Sequence, residues 1–190
     1  MSLADPQKRI LLHSCCGPCS TAVIHRLIPD YSMTVFFYNP NITDPAEYDL
    51  RRSEQLRFLK EFSEREGVRI GWIEGPYDPD VYYSAVHGLE QEPEGGARCR
   101  RCFELRLRET ARLAAKKGFD CFDTTLTVSP HKNADVILAL GKALAQECQV
   151  PYQAGNYKKA DGYKQSLDLS RQYGLYRQNY CGCCFSRREP

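Results

Sequence analysis

Eight of the ten cysteines in this chain fall into three groups, and their spacing is the first indication of chemistry. Cys15, Cys16 and Cys19 lie in HSCCGPCS, Cys99 and Cys102 in CRRC, and Cys181, Cys183 and Cys184 in CGCC, while Cys121 and Cys148 stand alone. A structural disulfide framework does not suit a reducing compartment, so grouped thiols point to redox or metal chemistry. Cys16-Gly-Pro-Cys19 has the spelling of a thioredoxin-type dithiol, and a helix opening there would favour the thiolate of its first cysteine. Two CxxC pairs also fit a structural zinc held by four thiolates. Adjacent side chains such as those of Cys15 and Cys16 tend to point apart, which suits the separated irons of an iron–sulfur cluster better than one tetrahedral ion. Cys99 and Cys102, about one helical turn apart, would complete a four-thiolate set.

C-G-C at Cys181 and Cys183 forms a further pair, because Gly182 allows a tight turn. A C-x-C disulfide closes a small ring and is readily reduced, and the same two thiolates could instead bind a second iron beside a cluster. Cys184, Cys121 and Cys148 read as packing or bystander cysteines.

The elements that must position these groups alternate. RILLH (9–13) predicts a buried strand, followed by a helix over Ser20–Ile28, a strand over Met33–Asn39 and a long helix over Pro45–Glu66 stopped by Gly67. VRIGWIEG predicts a third strand. Residues 76–98, rich in Pro, Gly and acids, form an irregular insertion too long for a simple connection. A helix follows over Cys99–Lys117, with Phe103, Leu107, Ala111 and Ala114 on one face. CFDTTLT (121–127) predicts a fourth strand, and helices follow over 133–146 and 161–173. This is one α/β domain over 1–190, a doubly wound, mostly parallel, Rossmann-like sheet ending in a helical, cysteine-rich segment over 156–190. Such sheets bind ligands beyond the carboxyl ends of their strands, where HSCCGPCS and Ser129–Asn133 (SPHKN) fall.

With 26 Lys and Arg against 24 Asp and Glu, the chain is nearly neutral, but the charge is uneven. Acids outnumber bases from Asn41 to Gly95, while 97–117 and 158–188 are basic, the pattern of a protein that shows one positive face to a polyanion. No apolar run approaches the ~18 residues needed to span a bilayer, and the opening MSLADPQKRILLH is too short for a signal-peptide core. A cytoplasmic protein with no membrane partner is expected.

Taken in order, HSCCGPCS, CRRC, TTLTVSPHKN (124–133), KKADGYKQS (158–166) and LYRQNYCGC (175–183) resemble the epoxyqueuosine reductase family of the QueH type along nearly the full length. The resemblance implies a fold related to the adenine-nucleotide alpha-hydrolase group. It implies reduction of epoxyqueuosine to queuosine in the anticodon loop of tRNA, the last step of queuosine formation, with a [4Fe-4S] cluster and without cobalamin. Cys15, Cys16, Cys99 and Cys102 become the implied cluster ligands and Cys181 and Cys183 the redox pair, with a second adjacent iron ion as the pair's other use. Cys19 is then a helix-opening residue near the cluster, a spare thiol. An electron donor must come from outside. His131 and Lys132 are candidate proton donors, Tyr163 and Arg177 candidate substrate contacts, and Arg101, Arg106, Arg108, Lys158 and Lys159 candidate phosphate contacts. Tyrosines of the last forty residues can stack on splayed bases. The competing readings are a general thiol–disulfide oxidoreductase using Cys16 and Cys19, and a zinc-stabilised RNA-binding module without catalysis.

Overall fold

A computed structural model describes residues 7–187. The first six residues of the stretch weighed as a signal sequence, and Arg188 of the basic tail, lie outside the described residues. Four strands form one parallel sheet in the order β3-β2-β1-β4: β1 (Lys8–Ser14), β2 (Tyr31–Phe37), β3 (Gly71–Glu74) and β4 (Cys121–Thr124). Six helices connect and cover it: α1 (Gly17–Leu27), α2 (Pro45–Glu66), α3 (Pro79–Ala85), α4 (Ala97–Lys116), α5 (Ala134–Cys148) and α6 (Gly162–Gln172). Among the described residues no helix is long and apolar enough to cross a membrane.

The sheet is covered on both faces because β1 alternates. Ile10 and Leu12 pack with Val23 and Ile24 of α1 and with Phe58 and Phe62 of α2. Leu11 points the other way, into Phe103, Leu107 and Ala111 of α4 and Ile137 and Leu144 of α5. Two-faced burial of a parallel sheet is the doubly wound arrangement expected from the alternating elements. The chain runs from β1 to β2 to β3 on one side, then crosses through α4 to β4 on the other side of β1. The strand order therefore reverses between β1 and β4, and His13 pairs in register with Thr124 at that point. The loops leaving these two strands diverge there and open the crevice in which such folds bind ligands.

Helix α2 keeps the bounds its sequence predicts. Asp44 Oδ1 accepts from the N–H groups of Ala46 and Glu47, Pro45 opens the first turn, and Gly67 ends the helix at φ 66°. All three are local signals. Helix α1 begins earlier than expected, at Gly17, because Pro18 is accommodated in the first turn, where it removes no intrahelical bond. The fourth strand is shorter than CFDTTLT predicts. After Thr124 the chain turns into a 3-10 helix over Thr125–Val128, since Thr124 Oγ1 accepts from the Leu126 N–H (3.2 Å) and Thr127 Oγ1 donates to Gly155 O (2.7 Å). Hydroxyls that capture nearby backbone groups break a ladder in this way. Residues 76–98 carry α3 followed by turns that lead into α4.

One buried carboxylate gives the fold a pH dependence. Asp123 is fully buried and accepts from Thr124 N–H, Gly155 N–H and the Tyr157 hydroxyl. Burial outweighs these bonds and raises its pKa to about 7. The folded state thus holds this proton more tightly than the unfolded chain, whose aspartates titrate near 4. The ionisation penalty is absent below pH 4 and complete above pH 7, so this group lowers stability as pH rises through that window. In denaturant melts, the stability of Asp123→Asn relative to wild type should shift in the variant's favour by on the order of 4 kcal/mol between pH 4 and pH 8. A pH-independent difference would contradict this account.

Candidate functional site

His13, the last inward residue before the cysteines, fixes the strand ends. Its Nδ1 lies 2.9 Å from Thr124 Oγ1 and its Nε2 3.2 Å from Tyr38 O. A carbonyl can only accept, so Nε2 carries the proton and Nδ1 accepts from the threonine. Burial, reinforced by the charge of Arg106, lowers its pKa to about 4, so the ring is neutral and ties the ends of β1, β2 and β4 together. Beneath the next turn, Ser14 Oγ donates to Gln55 Oε1 (2.7 Å), Gln55 Nε2 donates to Ser20 Oγ (2.9 Å), and Asn39 Nδ2 donates to Ser14 O (2.9 Å). This buried hydrogen-bonded network, in which only Asn39 Oδ1 lacks a partner among the described residues, gives the cysteine turn its floor.

On that floor the sulfurs of Cys15, Cys16 and Cys19 all lie within 4.8 Å of one another. Cys15 and Cys16 Sγ are 3.9 Å apart, and Gln178 Nε2 from the C-terminal segment donates to Cys16 Sγ at 3.0 Å. Cys15 loses its proton first. Hydrogen bonds from Cys16 and Cys19 hold its thiol well below the usual value, and Lys132 and Arg106 act in the same direction. Its hydrogen bond to Cys15, together with burial, pushes Cys16 up to about 12. Cys19, set aside from sequence as a spare, is thus an equal member of the compact group, because the first turn of α1 swings it back over Cys15 and Cys16.

Two cavities meet here. One of about 290 Å³ is lined by Cys15, Cys19, Cys181, His131, Lys132 and Arg177, with Tyr163 at its wall. The other is lined by Cys99, Cys102, Cys181 and Cys183, and His131 and Lys132 border both. The structure therefore gathers Cys99 and Cys102 with the C-G-C pair around one adjoining space rather than inside the Cys15–Cys16–Cys19 group. Burial raises the thiols of Cys99 and Cys102, the latter to about 12. Gly95 N–H donates to Cys99 Sγ (3.2 Å), and all ten cysteines are free thiols.

The charge around the thiols is positive. Arg51 and Arg106 are each only 1% exposed. Arg106 donates from Nε to Cys102 O (3.3 Å), while its Nη2 has no partner among the described residues. For Lys132, burial opposes the charge, but the thiols of Cys181, Cys15 and Cys19 outweigh it when ionised and hold the ammonium above the ordinary lysine range. Lys158 Nζ donates to Lys132 O (2.8 Å) and secures the SPHKN loop at the crevice. A buried guanidinium with an unused donor calls for an anion, and a metal group wrapped in thiolates is one. The donor set fits an iron–sulfur group on that ground.

The remaining sequence-predicted residues divide. Arg106 is not a surface contact: its helix face points inward, and it belongs to the thiol site. Arg108 is paired with Glu104 (3.0 Å) and Glu147, and Arg101, though exposed, donates from Nη1 to Glu104 Oε2 (3.3 Å). Lys159 is exposed, and Arg177 is exposed while Nη1 donates to Ser170 Oγ (2.8 Å). Tyr157 is a core residue bound to Asp123. Sequence reasoning missed Arg51 and Gln55. Their signal was a stripe at 48, 51, 55, 58 and 62 of α2, in which polar residues occupy buried positions.

A parallel α/β sheet places the chain in the doubly wound, Rossmann-like class, with thiols and cations gathered at its switch point. Two solved structures share the fold at 14–15% sequence identity. One is the U34-tRNA thiolase NcsA from Methanococcus maripaludis with its [4Fe-4S] cluster (TM-score 0.53, 96% of this chain and 62% of that one). The other is described as a predicted subunit of tRNA methyltransferase from Methanocaldococcus jannaschii (TM-score 0.51, 85% and 74%). A family model described as epoxyqueuosine reductase QueH matches residues 10–189, and the chain belongs to that family. The epoxyqueuosine reductase QueH of Streptococcus pyogenes is 41% identical over 179 residues, covering 94% of this chain and 70% of its own. That of Thermotoga maritima is 37% identical over 181 residues, covering 95% and 91%.

Proposed function

We propose that this protein reduces the epoxide of epoxyqueuosine in the anticodon loop of tRNA to the alkene of queuosine, in the cytoplasm. The observation that carries this reading is the compact Cys15–Cys16–Cys19 group, opening into one cavity with Cys181, His131 and Lys132. Cys15 and Cys16, with Cys99 and Cys102 from the adjoining space, would hold a [4Fe-4S] cluster. Cys181 and Cys183 would hold a second adjacent iron ion as that pair's other use. When bound, the cluster supplies electrons one at a time.

The chain's own groups account for the rest. Loss of the epoxide oxygen as water consumes two electrons and two protons. Oxidation of the Cys181 and Cys183 thiols to a disulfide releases two of each, so the reaction balances, and an external electron donor then restores the dithiol. Lys132 Nζ holds a proton at the cavity wall and can deliver it to the departing oxygen, with His131 beside it. Arg177 and Tyr163 stand where the modified base would enter, and Arg101, Lys158 and Lys159 are the basic side chains best placed to meet phosphates. Arg106 leaves that set, and Arg108 is already engaged by carboxylates.

Anaerobically purified protein should contain iron and sulfide. It should convert epoxyqueuosine tRNA to queuosine tRNA under strong reductant, read by mass spectrometry of the digested nucleosides. Iron-loaded protein that leaves the epoxide intact would overturn the substrate assignment. Stoichiometric zinc without iron would favour the RNA-binding module instead.

A further inference from the structure

The C-G-C segment has no regular secondary structure, yet its thiols must be held beside those of α1 if the two are to share one cavity. Beside the bond from Gln178 to Cys16, one side chain of α2 grips the loop itself. Arg51, on the buried stripe of α2, donates from Nη1 to Cys181 O (3.0 Å) and from Nη2 to Tyr180 O (3.2 Å). Its Nε donates to Glu47 Oε1 (2.6 Å), and Glu47 Oε2 accepts from the Tyr176 hydroxyl (3.0 Å). The guanidinium also lies over the Tyr180 ring, with its carbon 5.3 Å from the centroid. Thr43 N–H donates to Gly182 O (3.1 Å), so the loop is gripped from two sides.

We propose that Arg51 is a positioning residue, whose guanidinium, oriented by Glu47, sets the Cys181–Cys183 loop against the Cys15–Cys16–Cys19 group. The assignment rests on the reading of Cys181 and Cys183 as the redox pair. Three features support it. All three guanidinium nitrogens are used, and two successive carbonyls are engaged by one planar fork, which the point charge of a lysine cannot reproduce. Burying an arginine with one carboxylate is a poor source of stability compared with an apolar residue of similar size, so packing alone does not explain a cation here. Arg51 also borders the cavity that holds Cys15 and Cys181, and Cys16 and Cys15 act on its charge. Gly182 shows how close the fit is. Its φ is +115°, and a Cβ there would lie 3.0 Å from Ile42 Cγ1 and 3.2 Å from Arg51 Nη1.

The test is timed alkylation of the purified protein, with each cysteine followed by peptide mass spectrometry, alongside turnover. In Arg51→Met, labelling of Cys181 and Cys183 should accelerate at least about tenfold relative to exposed Cys184, with core Cys121 unchanged. The kcat should fall about 100-fold at retained iron content, the scale of a misplacement of about 1 Å. Arg51→Lys should recover part of the turnover. Gly182→Ala, which crowds the loop directly against Ile42 and the Arg51 guanidinium, should reproduce the labelling change, and it decides the question if Arg51→Met fails to fold. Wild-type labelling rates at Cys181 in folded Arg51→Met, or in Gly182→Ala where Arg51→Met does not fold, would overturn the proposal. So would equal acceleration at Cys121, which would mark Arg51 as merely structural. Absence of turnover in the wild-type protein would instead defeat the substrate reading, and the labelling comparison would still judge Arg51.

Discussion

Cys15→Ser should abolish epoxyqueuosine reduction and strip iron from a protein that remains folded. Cys15 is the member of its group that ionises first, held as a thiolate by hydrogen bonds from Cys16 and Cys19 and by the nearby charges of Lys132 and Arg106. A serine hydroxyl stays protonated at neutral pH and is a hard oxygen donor, poorly matched to iron in a sulfur environment. Loss of an outer partner of a metal ligand already costs about 10–100-fold, so loss of the ligand itself should lower turnover by about 1,000-fold or more. Cys19→Ser should also lower iron per chain, because its sulfur completes the same compact group. Cys121→Ser is the control. Cys121 starts β4 in the core beneath α1 and α2, and its replacement should leave the iron content unchanged. Full iron content in Cys15→Ser, measured by colorimetric iron and sulfide assays, would remove the thiol from the metal site.

Lys132→Met should lower kcat by about 100- to 10,000-fold, the range lost when a positioned proton donor is removed, with iron content and melting temperature near those of the wild type. The charge of this side chain is maintained by the thiols around it. Burial works against the ammonium, but the sulfurs of Cys181, Cys15 and Cys19, through the negative charge they carry when ionised, hold its pKa above the ordinary lysine range. It therefore stays protonated across neutral pH and can yield its proton only to an oxygen that gains negative charge as its bond to carbon breaks. With Lys132 as donor, kcat should not decline as pH rises from 6 to 9. A decline in that range that persists in Lys132→Met would assign the proton to another group. If Lys132→Met changed only KM, its role would be to bind substrate.

The two ends of legibility lie on single helices. Asp44, Pro45 and Gly67 bound α2 by local rules that need no partner, so its extent could be read directly. Its function could not, since Arg51 and Gln55 acquire their roles only when the C-terminal segment and the α1 turn close against them. Helix α4 teaches the same point in reverse. Its run of arginines reads as a basic surface, but Arg98, Cys102 and Arg106 recur every fourth residue beside Phe103 and Leu107, and that spacing turns two of the cations inward. The threonines after β4 look like strand residues by type. Their hydroxyls bond to backbone and end the strand early, a competition that composition does not reveal.

The sequence by itself determined the parallel alternation, the edge of the sheet at which the cysteines gather, and the family. Each depends on short-range periodicity or on motifs in a fixed order. Only the tertiary structure decided which thiols are neighbours. Cys19 joins Cys15 and Cys16 because a helical turn brings it back over them, and Cys181 reaches both cavities because Arg51 anchors its carbonyl. The first is a local turn whose outcome the spelling of the motif left open, while the second depends on a contact between residues 130 positions apart, of which spacing along the chain carries no record.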